Sequence, residues 1–152
     1  MEAQLLKTIL ILLHLFATLG MVGVIWTVQL VIYPLFSSIG TDSFHTYHAR
    51  YMNRITWIVA PLMLIELTTA FLLCYLFWTT GYRSVLITNA SLLVSIWLVT
   101  ALIQVPRHRA LSERYSTDSV SSLVKGNWIR TVIWTARLPL LASFAGRVLT
   151  HP

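Results

Sequence analysis

Glu66 and Arg137 are opposite charges lying near the middles of two separate apolar stretches, and they are the first residues in the chain whose chemistry demands an explanation. A charge at mid-membrane is expensive and needs a partner. Glu66 is the only acid inside any of the apolar segments, so the pattern predicts a Glu66–Arg137 contact joining the second and fourth segments at mid-depth. Two roles are open to such a pair. It can fix helix register as a structural pair, or it can serve a polar site.

Helical spacing adds neighbours to this pair, because residues three and four apart share a face. Trp26, Gln29 and Tyr33 form one such stripe, and Asn127, Arg130, Trp134 and Arg137 form another. Both enter the membrane from the same end, where Gln104, Arg54, His45, His48 and His108 also lie. The expected feature is a polar pocket opening toward that end and floored by Glu66 and Arg137. In it Arg130 and Arg137 would hold a phenolate or carbonyl oxygen, and His108 or Glu66 would act as base. Gln29, Tyr33 and Gln104 would line the ligand site, Trp134 would stack on a ring, and Trp97 is deep enough to join them. Core sites of this kind are where helical bundles bind ligands.

The histidines offer metal chemistry as well. His45-x-x-His48 has ligand spacing on one helical face, and His108 would add a third nitrogen. His14, alone in a leucine-rich stretch, fits either a haem axial ligand or a packed, hydrogen-bonded histidine. No nucleophile motif, phosphate-binding glycine loop or zincin helix is present. The sequence therefore predicts no cofactor, and leaves haem or metal open on these histidines alone.

The elements that must position these residues follow from composition. The 152 residues are 57% hydrophobic and 11% charged, against about 25% charged in soluble domains. At roughly 20 residues per crossing, the length holds four spans in one transmembrane domain. The expected fold is an all-α, polytopic four-helix bundle, with helices over about 5–36, 54–78, 84–105 and 127–149. Tyr33-Pro34 marks the far end of the first helix, and Pro106 should stop the third, since the residue before a proline disfavours helix. Residues 37–53 read as a polar loop with a helical turn capped at Thr41-Asp42-Ser43. Residues 107–126 read as a surface loop with a short interfacial helix, and Asn127 as the cap of the fourth span. Ala17, Gly20 and Gly23 form a small-residue ridge suited to helix packing. Cys74, the only cysteine, lies in an apolar segment and excludes an intrachain disulfide.

The net charge of +6 comes from residues scattered over loops and helix ends, without the basic motif or aromatic platform that nucleic-acid binding uses. Lys7, Arg83 and Arg147 mark one side. Arg50, Arg54, Arg107, Arg109, Arg114, Lys125 and Arg130 mark the other. The positive-inside rule then predicts loops one and three in the cytoplasm and both termini outside. Trp57, Trp78 and Trp128 read as interfacial anchors.

Val105-Pro106-Arg107-His108-Arg109-Ala110-Leu111, followed by Gly126-Asn127-Trp128-Ile129-Arg130-Thr131, resembles the anthrone-oxygenase-like group of small four-helix membrane proteins and a set of uncharacterised bacterial proteins with the same Asn-Trp-Ile-Arg-Thr start. The group carries Val-Pro-x-Asn-x-x-Leu after its third helix, so His108 stands where its motif has Asn. The resemblance covers the second half of the chain, and the first half only through hydropathy. It implies cofactor-independent oxygenation of a lipophilic polycyclic phenol, with Trp128 and Arg130 at the site. The expected partners are the bilayer and a lipophilic small molecule, with no nucleic acid. The non-enzymatic alternative is an accessory or structural subunit, whose apolar helix faces would meet other membrane proteins or further copies of the chain.

Overall fold

The computed structural model describes residues 1–150, and they form an all-α four-helix bundle. Its helices are α1 (Glu2–Ser38), α2 (Thr41–Leu76), α3 (Arg83–Glu113) and α4 (Thr117–Thr150). Each is long and apolar enough to cross a bilayer, which marks an integral membrane protein. Each packs on the next in chain order and α4 closes on α1. The termini and the 77–82 turn share one end, and the 39–40 and 114–116 turns share the other.

The helices exceed the expected spans. A 36-residue helix such as α2 is ~54 Å long, against ~30 Å of hydrocarbon. Residues 41–53 are therefore not a loop but the first turns of α2, with Gly40 at the N-cap and Asp42 in the first turn. Residues 105–113 continue α3, and 117–126 open α4. Asn127 is thus interior to α4 rather than its cap. Polar residues are admissible in these turns because they extend past the apolar layer, while a buried stripe persists on one face. In α4 that stripe runs Val120, Leu123, Asn127, Arg130, Trp134, Arg137, at steps of three and four.

Neither Pro34 nor Pro106 ends its helix. A helical proline lacks an N–H and crowds the carbonyl four residues back, here that of Leu30 or Leu102. Both carbonyls lie in π-helical stretches, Val28–Ile32 and Thr100–Gln104, each ending two residues before its proline. The wider turn takes up the mismatch and lets the helix continue. It also re-aims every side chain beyond it, and such bulges recur at functional sites.

The interior is layered. At the terminal end Leu10, Ile11, Leu73, Phe77, Leu86 and Phe144 form one apolar cluster. Met21, Ile25, Met63, Ile96 and Trp134 form the middle one. Val28, Tyr33, Phe36, Phe44, Leu111 and Leu123 form the third, at the end of the short turns. The outer surface is apolar too: Phe16, Trp57, Tyr75 and Leu102 are all more than half exposed, as lipid-facing residues are. Of the small residues, Ala17 is buried, and a Cβ at Gly20 would meet Leu62 at 3.4 Å. Gly23 has nothing within 4 Å, so the close-packed ridge is shorter than its sequence suggests.

Candidate functional site

A cavity of about 330 Å³ adjoins the middle apolar cluster on the side of the short turns. Met21, Ile25 and Tyr33 of α1, Tyr51, Val59 and Met63 of α2, and Trp97, Gln104 and His108 of α3 line it, with Arg130 reaching in from α4. Its lining residues Thr56, Leu64 and Val105 are exposed on the outer surface, so the cavity opens sideways between α2 and α3. A lateral mouth suits a ligand arriving from the lipid.

Most of the wall is apolar, and its polar groups are under-satisfied. Arg130 is 7% exposed and donates no hydrogen bond to another described residue. The only ion pair among the described residues is Arg137–Glu66, so Arg130 has no acid to neutralise it. Its guanidinium lies 5.2 Å from the Trp134 ring centroid. Trp97 Nε1 and both amide atoms of Gln104 are also buried without partners. An orphaned buried polar group costs about 1–3 kcal/mol, and more when charged, unless something binds it. Gly126 shapes the adjoining α3–α4 contact: a Cβ there would overlap the Arg107 guanidinium and fall 3.0 Å from Gln104 Nε2.

Histidines complete the wall. His48 Nε2 and His108 Nδ1 are 3.0 Å apart, His108 Nε2 is 2.8 Å from Tyr33 Oη, and His48 Nδ1 is 3.1 Å from Ser112 Oγ. Phe44 lies nearly parallel to His48 and Phe36 meets it edge-on, while the His48 and His108 rings sit edge to edge, 25° from coplanar, as their hydrogen bond requires. Aromatic packing thus fixes both imidazoles.

Deeper in the bundle the expected pair forms: Arg137 Nη1 donates to Glu66 Oε1 at 2.7 Å, and both side chains are fully buried. The pair is held from all four helices. Thr18 of α1 donates to Glu66 Oε1 at 2.8 Å, Trp134 Nε1 of α4 donates to Oε2 at 3.0 Å, and Arg137 Nε donates to Asn89 Oδ1 of α3 at 2.9 Å. His14 joins this network. Thr69 Oγ1 spends its proton on the Ile65 carbonyl, so His14 Nδ1 donates to Thr69 at 2.7 Å and His14 Nε2 accepts from Asn89 at 3.1 Å. Both ring nitrogens are used, as in a packed, hydrogen-bonded histidine.

The structure brings Tyr33, Gln104, His108 and Arg130 together at the cavity, and Trp97 with them. It does not bring Glu66, Arg137 or Trp134 there. The cavity's inner wall is instead Met21, Met63 and Trp97, which pack with Trp134, so the ion pair lies behind an apolar layer and is not the floor. Gln29 points into the α1–α4 contact, accepting from Asn127 Nδ2 at 2.9 Å and donating to the Val124 carbonyl. Trp128 is 40% exposed and packs edge-on against Trp26, outside the cavity. His45 does not join His48 and His108: it is exposed, and no group of three His, Cys, Asp or Glu side chains among the described residues is arranged to hold a metal ion. Tyr51, Met52, Ile55 and Thr56 are cavity residues the sequence reading placed in or beside a loop. Their signal was a stripe, Phe44, His48, Tyr51, Ile55, at steps of four, three and four.

Comparison of the chain with protein-family models, curated proteins and solved structures returns no match.

Proposed function

We propose that the protein binds a lipophilic aromatic or quinone-like molecule in this cavity and oxidises a bound phenol. The observation that carries the proposal is Arg130: a buried cation with neither acid nor hydrogen-bond acceptor, set in the wall of an apolar cavity that opens toward lipid. A flat apolar ring matches the methionine, valine and tryptophan surfaces, and a phenolate or carbonyl oxygen supplies the acceptor that Arg130 lacks. An ionised phenol ring is electron-rich, and dioxygen is the co-substrate proposed to oxidise it: one oxygen atom becomes a ring carbonyl, the other leaves as water with the two hydrogens the phenol loses, and the phenol becomes a quinone. The likeness of the second half of the chain to anthrone-oxygenase-like proteins supports the same reading. We further propose that the site faces the cytoplasmic half of a bacterial inner membrane. Arg50, Arg54, Arg107, Arg109, Arg114 and Lys125 cluster at its end of the bundle, and Lys7, Arg83 and Arg147 at the other.

The test is a titration of the detergent-purified protein with a naphthol and a naphthoquinone, following tryptophan fluorescence. Saturable quenching that disappears in Trp97→Phe is expected. Arg130→Gln should weaken binding by about 10- to 100-fold, the value of a hydrogen bond to a charged group, ~1.5–3 kcal/mol. Oxygen uptake matched to loss of the naphthol would show turnover. Absence of saturable binding together with stoichiometric co-purifying subunits would replace this reading with the accessory-subunit one.

A further inference from the structure

Ser112, His48, His108 and Tyr33 form a continuous line of hydrogen bonds from the end of the bundle to the cavity. The proton positions along it are fixed by one local bond. Ser112 Oγ donates to the His108 carbonyl at 2.9 Å, so it can only accept from His48 Nδ1. A neutral His48 then has Nε2 free to accept, and His108 Nδ1 must donate to it. His108 Nε2 accepts in turn from the Tyr33 hydroxyl. Every proton points the same way, from the cavity toward Ser112.

The two ends lie in different surroundings. Tyr33 and His108 line the lipid-facing cavity, whereas Ser112 lines a separate groove at the short-turn end with His45, Glu113 and Arg114. His48 itself is 1% exposed, so the line runs through the protein and not along its surface. The two π-helical stretches lie just ahead of Tyr33 and His108 and set the direction of both side chains.

We infer that these four residues are a proton outlet that ionises a hydroxyl-bearing ligand in the cavity by carrying its proton to the groove beside the 114–116 turn. The inference rests on the proposed ligand class and adds how its hydroxyl is ionised. The ligand hydroxyl gives its proton to Tyr33 Oη as Tyr33 passes its own to His108 Nε2. His108 Nδ1 releases its proton to His48 Nε2, and His48 Nδ1 releases one to Ser112 Oγ, whose own hydrogen turns from the His108 carbonyl to water in the groove and leaves. One proton leaves, the ligand oxygen keeps the electron pair beside Arg130, and both imidazoles end protonated at Nε2. Release of the ligand as a neutral phenol runs the same steps backward.

A relay changes the rate of ionisation and leaves its equilibrium alone, so the test is kinetic. The probe is 7-hydroxy-4-methylcoumarin, whose neutral and ionised forms absorb at different wavelengths, mixed rapidly with the detergent-purified protein. Tryptophan quenching reports binding, and absorbance reports ionisation. On the natural protein ionisation should keep pace with binding and slow in deuterated water. In His48→Gln, whose side chain lies outside the cavity wall, quenching should reach the same amplitude, and Tyr33→Phe, which keeps the ring and removes only the hydroxyl, is compared at probe concentrations that saturate it. The ionised form should then appear at least about tenfold later. A purely structural role predicts instead a change in affinity with no lag. Wild-type ionisation rates in both variants would overturn the relay and leave the binding site standing. A probe that binds but never ionises on the natural protein would do the same. A probe that fails to bind the natural protein overturns the ligand reading and the relay together.

Discussion

Neutralising one member of the Glu66–Arg137 pair should damage the protein far more than neutralising both. Glu66→Gln leaves the Arg137 guanidinium fully buried with no counter-charge, held only by neutral amide oxygens, the introduced one and Asn89 Oδ1. Breaking a buried pair in this way costs about 3–5 kcal/mol, a large share of a typical total stability of ~5–15 kcal/mol. Arg137→Gln strands a buried carboxylate with no counter-charge, left to the neutral donors Thr18, Trp134 and the introduced amide, so a similar loss is expected. The double variant holds two neutral amides that can bond to each other and to the same neighbours. Hydrogen bonds between membrane helices average only ~0.6 kcal/mol, so its loss should be about 1–2 kcal/mol. The coupling between the sites is then several kcal/mol, measured by denaturation of all four proteins in one mild detergent. Strictly additive losses, or single variants costing under about 1 kcal/mol, would refute the structural role assigned to the pair. Because neither residue lines the cavity, the double variant should also bind the naphthol as the natural protein does.

Other outcomes follow from packing and charge. Gly126→Ala forces the flexible tip of Arg107 aside but gains about 1 kcal/mol of helix propensity, so thermal denaturation should move little. Gly126→Leu overfills the α3–α4 contact and should cost about 1–3 kcal/mol in the same assay. Ala60→Phe places a ring in the cavity and should abolish naphthol binding while leaving helix content by circular dichroism unchanged.

The span count was legible because hydropathy over about 20 residues has no other common cause, and the Glu66–Arg137 contact because two charges in apolar segments had only each other. The helix lengths were not. Residues such as Asp42, Arg50 and Arg109 look like loop residues by composition, and only the buried stripe beside them reveals a helix that has left the bilayer. The depth of the cavity is hidden for the same reason: Glu66 lies deeper in the bundle, whereas the polar wall of the cavity is built at the level of the two bulges. The His48–His108 contact was hidden as well: 60 residues separate the pair, and a proline-linked π-turn re-aims the helix carrying His108. The His45-x-x-His48 spacing does not put the two imidazoles together, since His45 faces the surface groove and His48 the core.

The central claim is that an oxygen-bearing aromatic ligand occupies the cavity beside Arg130. A photoreactive naphthol crosslinked to the protein in lipid vesicles, followed by peptide mass spectrometry, tests it directly. Labels on Met52, Val59, Met63 or Trp97, competed by unlabelled naphthol and lost in Arg130→Gln, are the predicted result. Labels spread over lipid-facing residues such as Trp57, Tyr75 and Leu102, indifferent to competitor and to Arg130, would contradict it.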